Sequence, residues 1–176
     1  MAQSVLPSPY RIELLAKKLD RASFSSGSEP LDRYLKTQAS QDIRRRISSC
    51  SVAVDSATAE IAGFYTIAAT SVPLDKFPDD IAQKLPRYPL VAAGLLGRLA
   101  VATAHQGKGI GKSLLVDAIR RIAAADLMAF ALVVDAKNDA ALRFYQHFGF
   151  TLLVGEAARL VLPIGTALPL IQSGNP

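Results

Sequence analysis

Residues 106–111 read Gln-Gly-Lys-Gly-Ile-Gly, between an apolar run (Leu95–Val101) and an amphipathic run (Lys112–Ala124). A strand that turns through glycines into a helix start aims several free backbone N–H groups, and the positive end of the helix dipole, at one spot. Such a spot binds phosphate. The spacing excludes two common phosphate loops. A dinucleotide-fold Gly-x-Gly-x-x-Gly would need its third glycine where Lys112 stands. A P-loop would end at Lys112-Ser113, but its first glycine would fall on Gln106. What remains is Gln-x-x-Gly-x-Gly between strand and helix. The two histidines offer less: His105 reads as an exposed loop residue, and His147 lies two residues past Tyr145, on a different side of the same helix. Taken alone, Tyr145 among Phe144, Phe148 and Phe150 reads as core.

The elements that must hold these residues follow from periodicity. Ser23–Pro30 is a polar loop, and Ser28 or Glu29 opens a helix with Pro30 at its first position. That helix is expected over Leu31–Ile47, with Leu31, Tyr34, Leu35, Ala39 and Ile43 on one face. Ser49–Asp55 and Glu60–Ser71 read as a hairpin turning at Ser56–Ala59. Val72–Pro89 is rich in prolines and charges, with one helical turn near Asp79–Lys84. Then come strand Leu95–Ala102, the glycine loop and a helix from Gly109 to Ala124, with Leu115, Ile119 and Ile122 inward and Asp117, Arg120 and Arg121 outward. Phe130–Asp135 is a buried strand, Asn138–His147 a short helix, and Phe150–Val154 and Arg159–Pro163 are closing strands. The order β-α-β-β-β-α-β-α-β predicts an α/β fold: one central mixed sheet with helices on both faces, the whole of residues 1–176 a single domain.

Half the residues are hydrophobic and a fifth charged, which suits a soluble globular chain of 176 residues. No apolar stretch reaches the roughly 18 residues needed to span a membrane. The first ten residues lack the basic and apolar regions of a signal peptide. Cys50 is the only cysteine, so an internal disulfide or cysteine metal cluster is excluded, and no metal site is expected. The cytoplasm is the natural compartment. Net charge is +5, and residues 1–50 carry nine Lys/Arg against five Asp/Glu. A basic N-terminal section points to a polyanionic partner or to a solvated helix face, and charge alone leaves both open.

Gln106–Gly111 resembles, at every fixed position, the pyrophosphate loop of the GNAT-superfamily N-acetyltransferases. Leu96–Val101 before it, and Asn138–Phe150 with its Phe144-Tyr145 and Phe148-Gly149-Phe150, resemble further signature segments of that superfamily. The resemblance implies acetyl-CoA as donor. It places Gln106, Gly107, Lys108, Gly109, Ile110, Gly111, Lys112 and Ser113 at the pyrophosphate, and the backbone of Leu99, Ala100 and Val101, on a strand that splays from its neighbour, at the pantetheine. Asn138 matches a position that contacts the cofactor, although helix capping explains it equally well. Tyr145 would be the general acid for the departing sulfur. No strong general base is evident. An α-amine with a pKa near about 8 can attack without one, whereas a lysine amine near about 10.4 needs more help.

Phe24–Gly27, Leu31–Leu35, the hairpin Ile61–Thr66 and Leu96–Val101 further resemble the GNAT toxins of bacterial toxin–antitoxin pairs, across residues 10–163. That resemblance implies acetylation of the amino acid on aminoacyl-tRNA. It also implies a homodimer and a ribbon-helix-helix antitoxin of the DUF1778 type, through which alone the complex reaches operator DNA. Candidate tRNA contacts are Arg33, Lys36, Arg44, Arg45 and Arg46 on the first helix, and Arg98 beside the cofactor strand. Arg98 would meet the CCA end or pair with a buried carboxylate. An ordinary GNAT enzyme acting on protein N-termini or small amines is the alternative, and a catalytically silent module is disfavoured by the intact loop and Tyr145.

Overall fold

The computed structural model describes residues 8–173. Its strands are β1 (Tyr10–Leu14), β2 (Ser49–Asp55), β3 (Ile61–Pro73), β4 (Leu90–Val101), β5 (Ala131–Asp135), β6 (Thr151–Leu152) and β7 (Arg159–Pro163). They form one sheet in the order β1-β2-β3-β4-β5-β7-β6. β1 runs antiparallel to β2, β5 and β6 antiparallel to β7, and β4 parallel to β5, so the sheet is mixed. A parallel pair needs a crossover, and the helix α4 (Ile110–Ala124) supplies it. The other helices are α1 (Glu29–Thr37), α2 (Ala39–Arg44), α3 (Asp79–Ala82), α5 (Asp139–His147) and α6 (Ile164–Gln172). The mixed α/β fold expected from the sequence is the fold found.

The chain divides into two compact units. One runs to Tyr65 and resumes over Arg98–Leu114; the other comprises Thr66–Gly97 and the chain from Leu115 on. The first has its core at Phe24, Tyr34, Leu35, Val52, Phe64 and Ala100. The second has Val72, Phe77, Ala93, Ala131, Val133 and Val161. In α4, Leu115, Ile119 and Ile122 are buried, as the helical period predicts. Among the described residues no helix is long and apolar enough to cross a membrane.

Four elements differ from expectation. The helix read over Leu31–Ile47 is two, interrupted at Gln38, whose φ of −120° is not helical. It ends early because Arg46 adopts a left-handed φ of +61° and the Ile47 N–H donates to the Asp42 carbonyl, a Schellman closure with arginine where glycine is usual. Ile43 is therefore 38% exposed rather than on the inner face, and Ile47 is 61% exposed. β4 starts at Leu90, five residues before the apolar run at Leu95 suggests. The closing strand over Phe150–Val154 shortens to Thr151–Leu152. Helix α6 is unexpected, since Pro169 inside it reads as a breaker.

Gly63 of β3 holds β4 close. A Cβ there would lie 2.8 Å from the Ala100 carbonyl oxygen and 2.9 Å from a Leu114 methyl. Backbone cannot move aside as a side-chain tip can, so Gly63→Ala is expected to cost about 1–3 kcal/mol. A thermal melt should show a midpoint lower by several degrees, roughly 2–4 °C for each kcal/mol. An unchanged midpoint would mean that β4 yields freely at Ala100.

Candidate active site

The loop after β4 begins with one 3-10 turn, Thr103–His105, and runs into α4 at Ile110. Gly107 and Gly109 have φ of +77° and +79°, the left-handed region where other L-residues are strained. A Cβ at either would meet nothing within 4 Å, so conformation, not space within the chain, requires glycine there. From Gly107 to Lys112 no backbone N–H pairs with another described residue. The first to do so is Ser113, whose N–H and hydroxyl both donate to the Gly109 carbonyl at 3.1 Å. Six successive free N–H groups at the start of a 15-residue helix make a cradle for a polyanion. Lys108 and Lys112 are both exposed beside it, while Ile110 is buried and anchors the turn.

Gln106 works behind this cradle. Its Nε2 donates to the carbonyls of Val101, 3.2 Å away, and Ser26, 3.3 Å away. Ser26 is itself fixed by its N–H and hydroxyl, which donate to Asp32 Oδ1 at 2.9 and 2.6 Å. The Thr103 N–H donates to the Ser25 carbonyl at 2.8 Å. His105 is not the exposed loop residue expected. It is 8% exposed, with the Tyr10 hydroxyl 2.8 Å from its Nδ1 and the two rings edge to face. Tyr10 lies on β1, 95 positions earlier, which is why the local sequence hides the contact.

β4 pairs with β5 over Ala93–Leu96 and runs on through Val101, past the end of β5 at Asp135. At its partly buried Arg98 the guanidinium carbon lies 3.6 Å from the centroid of the Tyr34 ring. Arg98 makes no ion pair or hydrogen bond with a described residue, so the buried carboxylate considered for it is not there.

Tyr145 is on α5, 7% exposed, with its ring against Phe144 and Phe150 at centroid distances of 5.2 and 5.4 Å. Its hydroxyl has no partner among the described residues and is not sealed from solvent. Burial pushes its pKa up to about 12, so the phenol keeps its proton at every physiological pH. Asn138 caps α5, its side-chain oxygen accepting the Ala141 N–H at 2.8 Å. His147 is exposed. Among the described residues no three His, Cys, Asp or Glu side chains converge to hold a metal ion.

The family described as acetyltransferase (GNAT) domain matches residues 46–152. The chain belongs to the GNAT acetyltransferases. A "tRNA-acetylating toxin" of Mycobacterium tuberculosis (strain ATCC 25618 / H37Rv) is 37% identical over 86% of this chain and 90% of its own length. The solved structure of AtaT complexed with acetyl-methionyl-tRNAfMet superposes with a TM-score of 0.84 at 27% identity, over 92% of this chain and 99% of that one. A tyrosine-to-phenylalanine mutant of the AtaT toxin, bound to the C-terminus of the antitoxin AtaR and acetyl-CoA, superposes with a TM-score of 0.76 at 25% identity, over 93% and 98%.

Within this GNAT chain the candidate cations divide by environment. Lys36 is exposed on α1, and Arg33 is tied to Glu29 one turn earlier, an exposed pair that a phosphate can replace at little cost. Arg44, Arg45 and Arg46 are exposed, but they occupy the last residue of α2, its cap and the left-handed residue after it, so they fan out instead of lining one helix face. Sequence reasoning missed Ser26 and Asp32, which brace the loop through Gln106, and the role of Tyr34 under Arg98. The only local trace of the first pair is a serine and an aspartate six positions apart around Gly27.

Proposed function

We propose that this protein is an acetyl-CoA-dependent N-acetyltransferase toxin that acetylates the α-amine of aminoacyl-tRNA in the cytoplasm and so stops translation. The 37% identity with a tRNA-acetylating toxin, over nearly the whole of both chains, carries the reading. The cradle of free N–H groups from Gly107 to Lys112 supports it, since a pyrophosphate is the polyanion that fits. Residues 1–176 act as one GNAT domain, as a homodimer. The partner is a ribbon-helix-helix antitoxin of the DUF1778 type, through which the complex reaches operator DNA.

Acetyl-CoA supplies a thioester, and the chain supplies position and charge. The loop holds the pyrophosphate. The backbone of Leu99–Val101 pairs with the pantetheine arm, and its N–H groups polarise the thioester carbonyl. The substrate amine bonds to the acetyl carbon as the carbon–sulfur bond breaks. The ammonium proton leaves to water, and the Tyr145 hydroxyl hydrogen-bonds the sulfur as negative charge gathers there. Once acetylated, the α-amine cannot attack a peptidyl ester.

Labelled acetyl-CoA incubated with the protein and a pool of charged tRNA is expected to label the charged tRNA alone, with uncharged tRNA and free amino acids as controls. Label on protein N-termini or free amino acids, and none on charged tRNA, would overturn the reading in favour of an ordinary GNAT enzyme. In the same assay the R44Q/R45Q/R46Q variant should bind tRNA more weakly. Its slope of log affinity against log salt should be shallower by about 0.7–0.9 for each phosphate that the variant leaves unneutralised. An unchanged slope would remove these three arginines from the tRNA surface.

A further inference from the structure

A partly buried arginine whose N–H donors meet no protein acceptor keeps them open to water or to a ligand. Arg98 is such a residue: its guanidinium lies over the Tyr34 ring, 3.6 Å from the centroid, and it makes no ion pair or hydrogen bond with a described residue. Stacking engages the face of the guanidinium and leaves its in-plane donors free to form a fork. The platform is itself braced. Tyr34 is 4% exposed, near-parallel to Phe64 at 6.2 Å between centroids, and its hydroxyl donates to Asp42 Oδ2 at 2.9 Å with Ser48 Oγ 3.3 Å away. Burial raises the Tyr34 pKa, keeping the phenol neutral and donating. A braced, unpaired fork suits an acceptor with two oxygens in one plane, and a phosphodiester provides that pair. In the same unit Lys36 and Arg44, Arg45 and Arg46 are exposed cations, so the surface facing solvent there already favours a polyphosphate.

We propose that Tyr34 is a positioning residue, which holds the Arg98 guanidinium ready for a phosphate of the acceptor end of the RNA substrate. This rests on the aminoacyl-tRNA reading and adds to it the residue that pre-orients the contact. Neither Asp42 nor Phe64 touches the substrate; they keep the ring still.

The test compares Tyr34→Leu, Tyr34→Phe, Arg98→Gln, Arg98→Lys and the double variant Y34L/R98Q. The readouts are KM and kcat for charged tRNA, affinity for a CCA-ended RNA hairpin, and acetyl-CoA affinity. Arg98→Gln and Tyr34→Leu should each raise KM and weaken hairpin binding about tenfold, the effect of removing one charge-assisted hydrogen bond, with kcat and acetyl-CoA affinity unchanged. The double variant should be no worse than either single one. Tyr34→Phe should lose less than Tyr34→Leu, because it keeps the ring but not the hydroxyl brace to Asp42, and Arg98→Lys should lose affinity, because an ammonium offers no fork. Additive effects in the double variant, or a Tyr34→Leu protein that is folded and binds the hairpin normally, would overturn the proposal. Should Tyr34→Leu fail to fold, nuclear magnetic resonance of wild type decides: the Arg98 Nε proton must be shifted upfield by the ring current and move when hairpin is added. An unshifted proton overturns the stack. A wild type that binds the hairpin in this Tyr34-dependent way yet leaves charged tRNA unacetylated would sink the proposed function and support the positioning role.

Discussion

Acetyl-CoA binding is expected to fall roughly a thousandfold when Gly111 is replaced by glutamate, with the fold intact. Gly111 lies in the first turn of α4, inside the run of unpaired N–H groups, and its backbone is helical. A carboxylate there needs no unusual φ, but it places a negative charge where the pyrophosphate must sit. Like charges about 4 Å apart repel by about 4 kcal/mol near a protein surface, which converts to that thousandfold. Gly109→Glu should be as severe for binding and also cost about 1–2 kcal/mol of stability, because φ at position 109 is left-handed. Gly109→Asn separates the two effects: asparagine tolerates that conformation and carries no charge, so a folded Gly109→Asn should keep most of the affinity. Calorimetry beside a thermal melt reads both quantities. A folded Gly111→Glu that binds acetyl-CoA as wild type does would remove the loop from the cofactor site.

What the sequence discloses here is what local chemistry must encode. A phosphate cradle needs left-handed residues and bare N–H groups next to a helix start, and Gly107, Gly109 and the amphipathic run after them carry all of that in a few positions. Burial of one helix face is also local, so Leu115, Ile119 and Ile122 are legible. The misread parts depend on partners far along the chain. His105 is buried because Tyr10 reaches it, and Arg98 is held by a tyrosine 64 positions earlier. The helix broken at Gln38 shows the same competition. Its apolar period continues to Ile47, but Tyr34, Leu35 and Ala39 are buried and Ile43 and Ile47 are not, because Arg46 turns the chain back towards β2. Helix α6 is hidden by Pro169, whose missing N–H is tolerated within the nine residues of the helix.

Tyr145→Phe is expected to lower kcat by about 10²–10⁴-fold while leaving acetyl-CoA affinity and stability as they are. The hydroxyl bonds no described residue, so the fold loses nothing with it, and the ring contacts to Phe144 and Phe150 remain. The raised pKa, about 12, shapes what the hydroxyl does. A thiol titrates near about 8.5, so the phenol is the weaker acid and does not hand its proton over permanently. Its contribution is a hydrogen bond that strengthens as charge gathers on the departing sulfur, with the net proton coming from the ammonium. The pH profile follows from the same shift. Activity should rise as the α-amine loses its proton near about pH 8 and then stay level past about pH 10, where a tyrosine of ordinary pKa would begin to ionise and switch off. A falling limb below about pH 10 in a folded wild type would show that Tyr145 is not held in this buried, neutral state. Near wild-type turnover of Tyr145→Phe at saturating acetyl-CoA would make Tyr145 a packing residue and place the hydrogen bond to the departing sulfur elsewhere.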